Sequence, residues 1–589
     1  MGERPVRIAN FSGYYGDRRT AFDEAMGGDD IDVLIGDYLA EFTLAALSAR
    51  YRDDPSSGYV AYFLDQLRPH VAAVAERGLK VVVNAGGFNP AGLAGAVREL
   101  AAEAGVRLRV AHVEGDNVLH RLRGLRAKGH RMTNLDTGAP LSSWGYEPIA
   151  ANAYLGGWGI TDALSSGSDV VICGRVTDAS LTSGVAAWWH GWRRTSWREL
   201  AGAVTAGHII ECGPHATGGN FSGFAQIPGM VAPGFPIAEV AGDGSSVITK
   251  HGRDGGAVTV DTVTAQLMYE IQGTRYLNPD VTVHLDTVEL TQEAPDRVRM
   301  APVTGSPPSP TTKVAVFAPI GWQIVATAYV TGLDADAKVD LLREQLRALL
   351  PAVDDLEVTR LGTVAEDADS QWDATVPVRI MATARDRETL TGQNFAGRVG
   401  GLFLSSIPGF YLDSGAGMPT SPRPRVDYWP ALLPTEVLGH AVVLDNGRRM
   451  EVGPPTVCEV PGQPAHPEPS GAAASEANGP TRRLPLGTIA HARSGDKGGN
   501  SNVGVWVPDD AAWPWLRDML STEELKRLLP ETKDLDVVRH EFPHLRAVHF
   551  VLTGLLGTGG SSNLRVDPIG KAIGEYLRAR HVDIPVDLL

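Results

Sequence analysis

Short runs of Val, Ile and Leu recur through the first half of the chain, at 33–35, 81–83, 106–113, 170–172 and 209–210. Between them lie longer stretches in which apolar residues return at helical spacing, as at 93–104. Runs this short, rich in Val and Ile and without polar alternation, predict strands buried on both faces of a parallel sheet. Residues 1–280 are therefore expected to form an α/β domain with a mostly parallel sheet. Across 281–458 the pattern changes to strands at 313–317 and 323–330 followed by a helix at 335–350, which predicts an α+β layer packed on the first domain. Residues 459–483 are dominated by Pro, Gly, Ala and Ser with no apolar period, as in a linker. Beyond it, 484–589 forms a unit of domain size, with apolar segments at 486–490, 503–507 and 547–552 and helical patterns near 518–529 and 569–580. A small C-terminal α+β domain is expected there.

The predicted strands of the first domain end in polar clusters. Gly36-Asp37-Tyr38-Leu39-Ala40-Glu41 follows the first, Asn84-Ala85-Gly86-Gly87-Phe88-Asn89-Pro90 the second, and Glu114-Gly115-Asp116-Asn117 the third. Cys173-Gly174-Arg175-Val176-Thr177-Asp178 and Glu211-Cys212-Gly213 complete the series. In an α/β sheet the carboxyl ends of parallel strands open on one crevice, so the five clusters are expected to meet there. Each taken alone also reads as a helix cap or a tight turn. Gathered together, Asp37, Glu114, Asp116 and Glu211 would raise at least one carboxyl pKa and allow one acid and one base.

Arg175 suits a carboxylate clamp, or equally a turn prop paired with Asp178. Gly86-Gly87 would let backbone N–H groups approach a ligand oxygen. His208, Glu211, Cys212 and His215 are ligand-type residues, but their spacing fits neither H-E-x-x-H nor a zinc finger, and no metal is assigned. Cys212 reads as a nucleophile or a small buried filler. In the C-terminal domain, the donor-rich stretch from His491 to Asn502 suits an anionic ligand or a domain contact; its candidates are Arg493, Ser494, Asp496, Lys497 and Asn500. Lys571, after Asp567-Pro568-Ile569-Gly570, lies at an expected helix start, where Asp567 reads equally as an N-cap.

Composition narrows the function classes. The 589 residues suit two to four domains at about 150 residues each. A formal charge of −16 works against nucleic acid as a partner. Three scattered cysteines argue against a disulfide framework and fit a reducing compartment. The N-terminus lacks an apolar signal core and no run reaches about 20 apolar residues, so a cytoplasmic protein without a membrane partner is expected. The high glycine content is compatible with a homo-oligomer. Neither G-x-G-x-x-G nor G-x-x-x-x-G-K-[ST] occurs, leaving nucleotide chemistry without support and no cofactor implied.

Many of these words, in this order, resemble the acyclic terpene utilisation (AtuA-like) family of bacterial citronellol and geraniol breakdown. The resemblance is carried by Phe11-Ser12-Gly13 with Gly16-Asp17-Arg18, the clusters at 36–41, 84–90 and 115–116, and Cys173 to Ser180. It continues through Gly207-His208-Ile209-Ile210-Glu211-Cys212-Gly213, Gly234-Phe235-Pro236-Ile237, Gln266-Leu267-Met268-Tyr269-Glu270 and Arg493-Ser494-Gly495-Asp496-Lys497-Gly498. Tyr14 and Tyr15 stand as an insertion relative to the family's compact Gly-Phe-Ser-Gly-Asp-Arg. The resemblance implies a ferredoxin-like fold for the C-terminal domain and a place in catabolism of branched isoprenoid acids or their CoA thioesters.

Carboxylates, Asn, His and Arg without a nucleotide signature fit acid–base hydration or dehydration of an unsaturated acyl group, a lyase reaction. In that scheme Glu114 or Asp116 is the base and Glu211 or His208 the acid. Arg175 and Lys497 anchor the acid or the CoA phosphates, and Asp37, Asn84, Asn89, Asp178 and the 493–500 residues line the site. The alternatives are a non-catalytic partner of an acyl-CoA-processing enzyme and a metal-assisted hydrolase. An enzyme is expected to open a pocket of several hundred Å³ at the strand ends, lined by Asp37, Asn84, Asp116, Arg175 and Glu211, whereas a crevice filled by side chains with a large apolar patch elsewhere favours the non-catalytic partner.

Overall fold

The computed structural model describes residues 4–28, 30–413, 421–464, 468–469 and 479–589. Of the expected linker, 465–467 and 470–478 lie outside the described residues. An eleven-stranded sheet organises the first part of the chain. At its centre β1 (Val6–Ser12), β2 (Val33–Gly36), β3 (Lys80–Val83), β6 (Val170–Cys173) and β4 (Val110–Glu114) lie side by side and parallel, in that order. The residues of β2 and Val81–Val83 of β3 are buried, as expected for strands covered by helices on both faces. Because the chain passes from β3 over to β4 and returns to β6, the strand order reverses beside β3, the place where such sheets open a crevice.

The sheet is mixed rather than mostly parallel. Antiparallel strands Pro236–Val240, Ser246–Lys250, Arg297–Met300 and Leu290–Ala294 extend it beyond β1, and Ala441–Val443 and Arg449–Glu451 extend it beyond β4. The sheet thus crosses the expected boundary at residue 281. Its outer strands escape a hydropathy reading because they lie at the periphery: Thr291 to Glu293 are exposed. The pair 209–210 is not a strand. It ends the helix Trp197–Ile210, whose residues from Leu200 onward are all buried. An apolar helix covered on every side presents the same short Ile run as a central strand.

The expected strands at 313–317 and 323–330 are one strand, Thr311–Thr331, bent where its register with Arg423–Pro434 shifts between Pro319 and Gly321. Gly321 has φ +129°, and a Cβ there would meet the Ala384 carbonyl oxygen at 2.5 Å. The helix Ala335–Leu349 covers this second sheet. Between β4 and β6, β5 (Ala150–Ala153) pairs with Val314 to Phe317 of the long strand and so fastens the second sheet to the first.

The C-terminal unit is a four-stranded antiparallel sheet in the order His491–Lys497, Asn500–Trp506, Ala547–Leu552, Val537–Phe542. Helices Trp513–Met519, Thr522–Leu528 and Ile573–Arg578 accompany it. Its docking is extensive: Trp506, Phe542, Leu545 and Ala547 belong to the same apolar cluster as Leu267, Met268 and Ile271. Each large side chain buried in this way contributes about 1.5–3 kcal/mol. The Asn502 amide donates to the Met268 carbonyl (2.7 Å) and accepts from the Glu270 N–H (3.1 Å), and Trp506 Nε1 donates to Asp261 (3.0 Å). A Cβ on Gly495 would come within 2.2 Å of the Tyr269 ring, and one on Gly504 within 2.7 Å of Met268. Glycine at both positions allows that close approach.

Candidate active site

The parallel strand ends deliver their polar residues to one place. After β2, Asp37 accepts from Asn84 Nδ2 (2.6 Å), while Asn84 Oδ1, after β3, accepts from the Tyr38 N–H (2.7 Å). After β6, the buried Arg175 donates through Nη1 to the Leu39 carbonyl (2.6 Å) and to Asp178 (2.5 Å), with its guanidinium 4.1 Å above the centre of the Tyr154 ring. From the C-terminal end of the helix Trp197–Ile210, His208 Nδ1 meets Glu211 Oε1 at 3.2 Å. The far atoms of that pair, His208 Nε2 and Glu211 Oε2, are buried with no hydrogen-bond partner among the described residues.

The second sheet and the C-terminal unit supply the other walls. Tyr154, just past β5, donates to Glu41 (2.7 Å), and Lys313 on the long strand donates to the same carboxylate oxygen (2.8 Å). Lys497, at the end of His491–Lys497, stands 3.7 Å from Glu270, a residue held in the left-handed region at φ +56° by its contact with Asn502. Protein surrounds Glu41, Lys313 and Lys497, yet 29%, 21% and 29% of their side chains remain reachable by water. Asp37, Asn84, Asp116, Arg175 and Glu211 are themselves buried, and these three partly exposed charged groups complete the cluster.

Charge is divided unevenly across this cluster. Burial, with Glu270 and Glu41 nearby, pushes Asp496 up to about 7. Burial and Asp178 push Glu211 up to about 7 against the pull of His208, whose own pKa rises because Glu211 outweighs its burial. Asp37 is raised well above the carboxylate range by burial and by Asp178 and Glu211. Burial acts the same way on Glu41, but Lys313, Lys497 and Arg175 outweigh it and hold that carboxyl well below its ordinary range. Neighbouring carboxyl groups therefore differ in proton affinity, the condition for placing an acid and a base in one site.

The model of the acyclic terpene utilisation family protein AtuA matches residues 6–444, and that of the AtuA ferredoxin-like domain matches 484–583. The chain belongs to the acyclic terpene utilisation family. No curated protein and no solved structure matches it. In this family member the stretches 36–41, 173–180 and 207–213 carry the strand-end part of the cluster. Gln266 to Glu270 meets Arg493 to Gly498 across the joint with the ferredoxin-like domain.

Several sequence candidates stand elsewhere or are spent on structure. Glu114 faces back along β4 to His112 (3.0 Å) and outward to Arg449 (3.5 Å), because β4 is bordered there by the antiparallel strand Ala441–Val443. Asp116 Oδ2 accepts from the Arg175 N–H (2.9 Å) and from Asn152 Nδ2 (2.8 Å), so it secures the turn that aims Arg175. The Gly86 N–H is bonded to the Cys173 carbonyl (2.9 Å), and a Cβ on Gly87 would strike the Gly58 carbonyl at 2.4 Å; the pair serves backbone packing rather than an oxyanion. Asn89 caps the helix Pro90–Glu103. Ser494 accepts from the Gly574 N–H (2.9 Å), and Asn500 donates to Asp136 (2.9 Å). Arg493 binds the Asn220 carbonyl (3.0 Å) beside His215.

The four ligand-type residues from 208 to 215 divide between two networks, since His215 contacts Gln266 and Arg493 rather than Glu211. Among the described residues no group of three or more His, Cys, Asp or Glu is placed to hold a metal ion. Burial raises the Cys212 thiol well above its ordinary pKa, which disfavours a nucleophilic thiolate. Among the described residues no helix is long and apolar enough to cross a membrane.

Sequence reasoning passed over Glu41, Tyr154, Glu270 and Lys313 as site residues. Lys313 carried a readable signal, as the one cation inside an otherwise apolar and Thr-containing strand, 311–317.

Proposed function

We propose that this cluster is the active site of an acid–base enzyme that adds water to, or removes it from, an unsaturated acyl group in acyclic terpene utilisation. The observation that carries the reading is the enclosure of Glu211 and Asp496, each with a pKa near 7, beside a shared cation, Lys497. A group titrating near the working pH exchanges protons most effectively. Glu211 is the base and His208 positions it; Asp496 is the acid. In the hydration direction a water O–H breaks and its proton goes to Glu211, while the oxygen bonds the β-carbon of the substrate. The C=C electron pair moves toward the carbonyl oxygen, whose developing negative charge Lys497 and Lys313 stabilise. The Asp496 O–H then protonates the α-carbon, and the net change is one added water.

The proposed substrate is a branched, unsaturated carboxylic acid or its CoA thioester. The test is incubation with a panel of both classes, following the mass change of one water. Glu211→Gln is expected to lower kcat by about 10²–10⁴-fold, the usual range for a general acid or base. Absence of turnover across the panel, or full activity in Glu211→Gln, would overturn the proposal.

A further inference from the structure

Where the ferredoxin-like domain meets Tyr269 it carries cationic groups that the acid–base steps do not use. The Tyr269 ring is contacted by two of them: the Arg493 guanidinium lies 4.4 Å from its centre and the Lys571 ammonium 5.2 Å. Arg493 is buried and engaged with the Asn220 carbonyl and with His215. Lys571 is different. Its ammonium makes neither a hydrogen bond nor an ion pair with any described residue, and it lies over the Tyr269 ring.

The lysine is held in place by its backbone. Asp567 accepts from the N–H groups of Lys571 (3.1 Å) and Ala572 (2.7 Å), and the Lys571 carbonyl accepts from Ser494 Oγ (3.1 Å). Lys571 acts on Cys212 and His215, and Cys212 is at the same time under the influence of Glu211, Glu270 and Asp37. Cys212 is thus a common neighbour of Lys571 and of the carboxyl groups of the acid–base centre. Burial, Arg493 and Lys571 together hold the His215 pKa well below its ordinary value, so the imidazole adds no competing charge. Glu270, the nearest carboxylate neighbour of Tyr269 in the chain, is already taken by Lys497. A partly buried ammonium without an acceptor is unfavourable, and an incoming anion relieves it.

We propose that Lys571, over Tyr269 and backed by Arg493, is an anion subsite that takes the charged end of the molecule bound at the cluster. This rests on reading the cluster as a substrate site, but not on the hydration step. A carboxylate and a phosphate share the recognising chemistry, and the two sources are separable by experiment. Calorimetric titration of the full-length protein with 3-methylbut-2-enoate, its neutral amide, and free coenzyme A is carried out on wild type, Lys571→Met and Lys571→Arg, with thermal unfolding as the check on folding.

The expected result is that the acid or coenzyme A binds wild type, that Lys571→Met weakens that binding about tenfold or more, and that Lys571→Arg largely restores it. The amide should bind alike to all three. Selective loss for the acid assigns a carboxylate and selective loss for coenzyme A assigns a phosphate. Equal affinity of Lys571→Met and wild type for both anions would overturn the subsite, as would binding of neither by wild type. Anion binding without turnover would sink the hydration reading while leaving the subsite standing, and turnover with unchanged binding in Lys571→Met would do the reverse.

Discussion

Asp116 and Glu211 are both buried carboxylates placed beside glycine turns, and their partners give them different work. Asp116 takes two donors on one oxygen, whereas Glu211 keeps an oxygen free. Asp116→Ala would leave the Arg175 N–H and the Asn152 amide unpaired, and is predicted to cost about 1–3 kcal/mol per lost partner, read by urea unfolding. Glu211→Gln is predicted to have the opposite balance, losing turnover while unfolding at about the wild-type urea midpoint near neutral pH. Nothing local in the sequence separates the two residues. The partner that commits Asp116, Asn152, lies 36 positions away, and the cations that depress Glu41 come from three separate regions of the chain. Residue types at strand ends were legible; their protonation was not, because it depends on neighbours that only the fold supplies.

The elements that build the site lean on close backbone contacts. The helix Trp197–Ile210, which carries His208 and leads into Glu211, crosses the turn before Ser246–Lys250 so tightly that a Cβ on Gly202 would fall 1.9 Å from the Gly244 carbonyl oxygen. Gly202→Ala is predicted to destabilise the protein by about 1–3 kcal/mol, measurable as a lower urea midpoint. Gly495→Ala is predicted to force the ferredoxin-like domain away from Tyr269, lowering Tm and activity together, since Asp496 and Lys497 ride on the same strand. The central parallel strands could be read from the sequence because burial on both faces leaves uninterrupted apolar runs. The antiparallel edges, the bend at Gly321 and the fully buried helix could not, since each mixes or hides the periodicity that distinguishes strand from helix.

At the scale of the whole molecule, the ferredoxin-like domain shares its apolar core with the first domain and supplies both Asp496 and Lys497 to the candidate site. Proton binding then ties stability to pH. Glu211 and Asp496 hold protons more tightly when folded, near 7, than in the unfolded chain, where their ordinary values are 4.5 and 3.8. As pH rises across that interval the unfolded chain releases its protons first, so their contribution to stability is complete below the ordinary carboxyl values and is lost by about pH 7. Asp496→Asn should flatten the corresponding fall in Tm; an unchanged slope would remove Asp496 from this role. The central claim, that Glu211 and Asp496 in one site stay protonated far above their ordinary range, is tested most directly by infrared difference spectroscopy across a pH titration of wild type, Glu211→Gln and Asp496→Asn. Among the protonated-carboxyl bands that persist to about pH 7, which include that of Asp37, one is predicted to be missing from each variant. If every carboxyl band has vanished by about pH 5, the claim is contradicted.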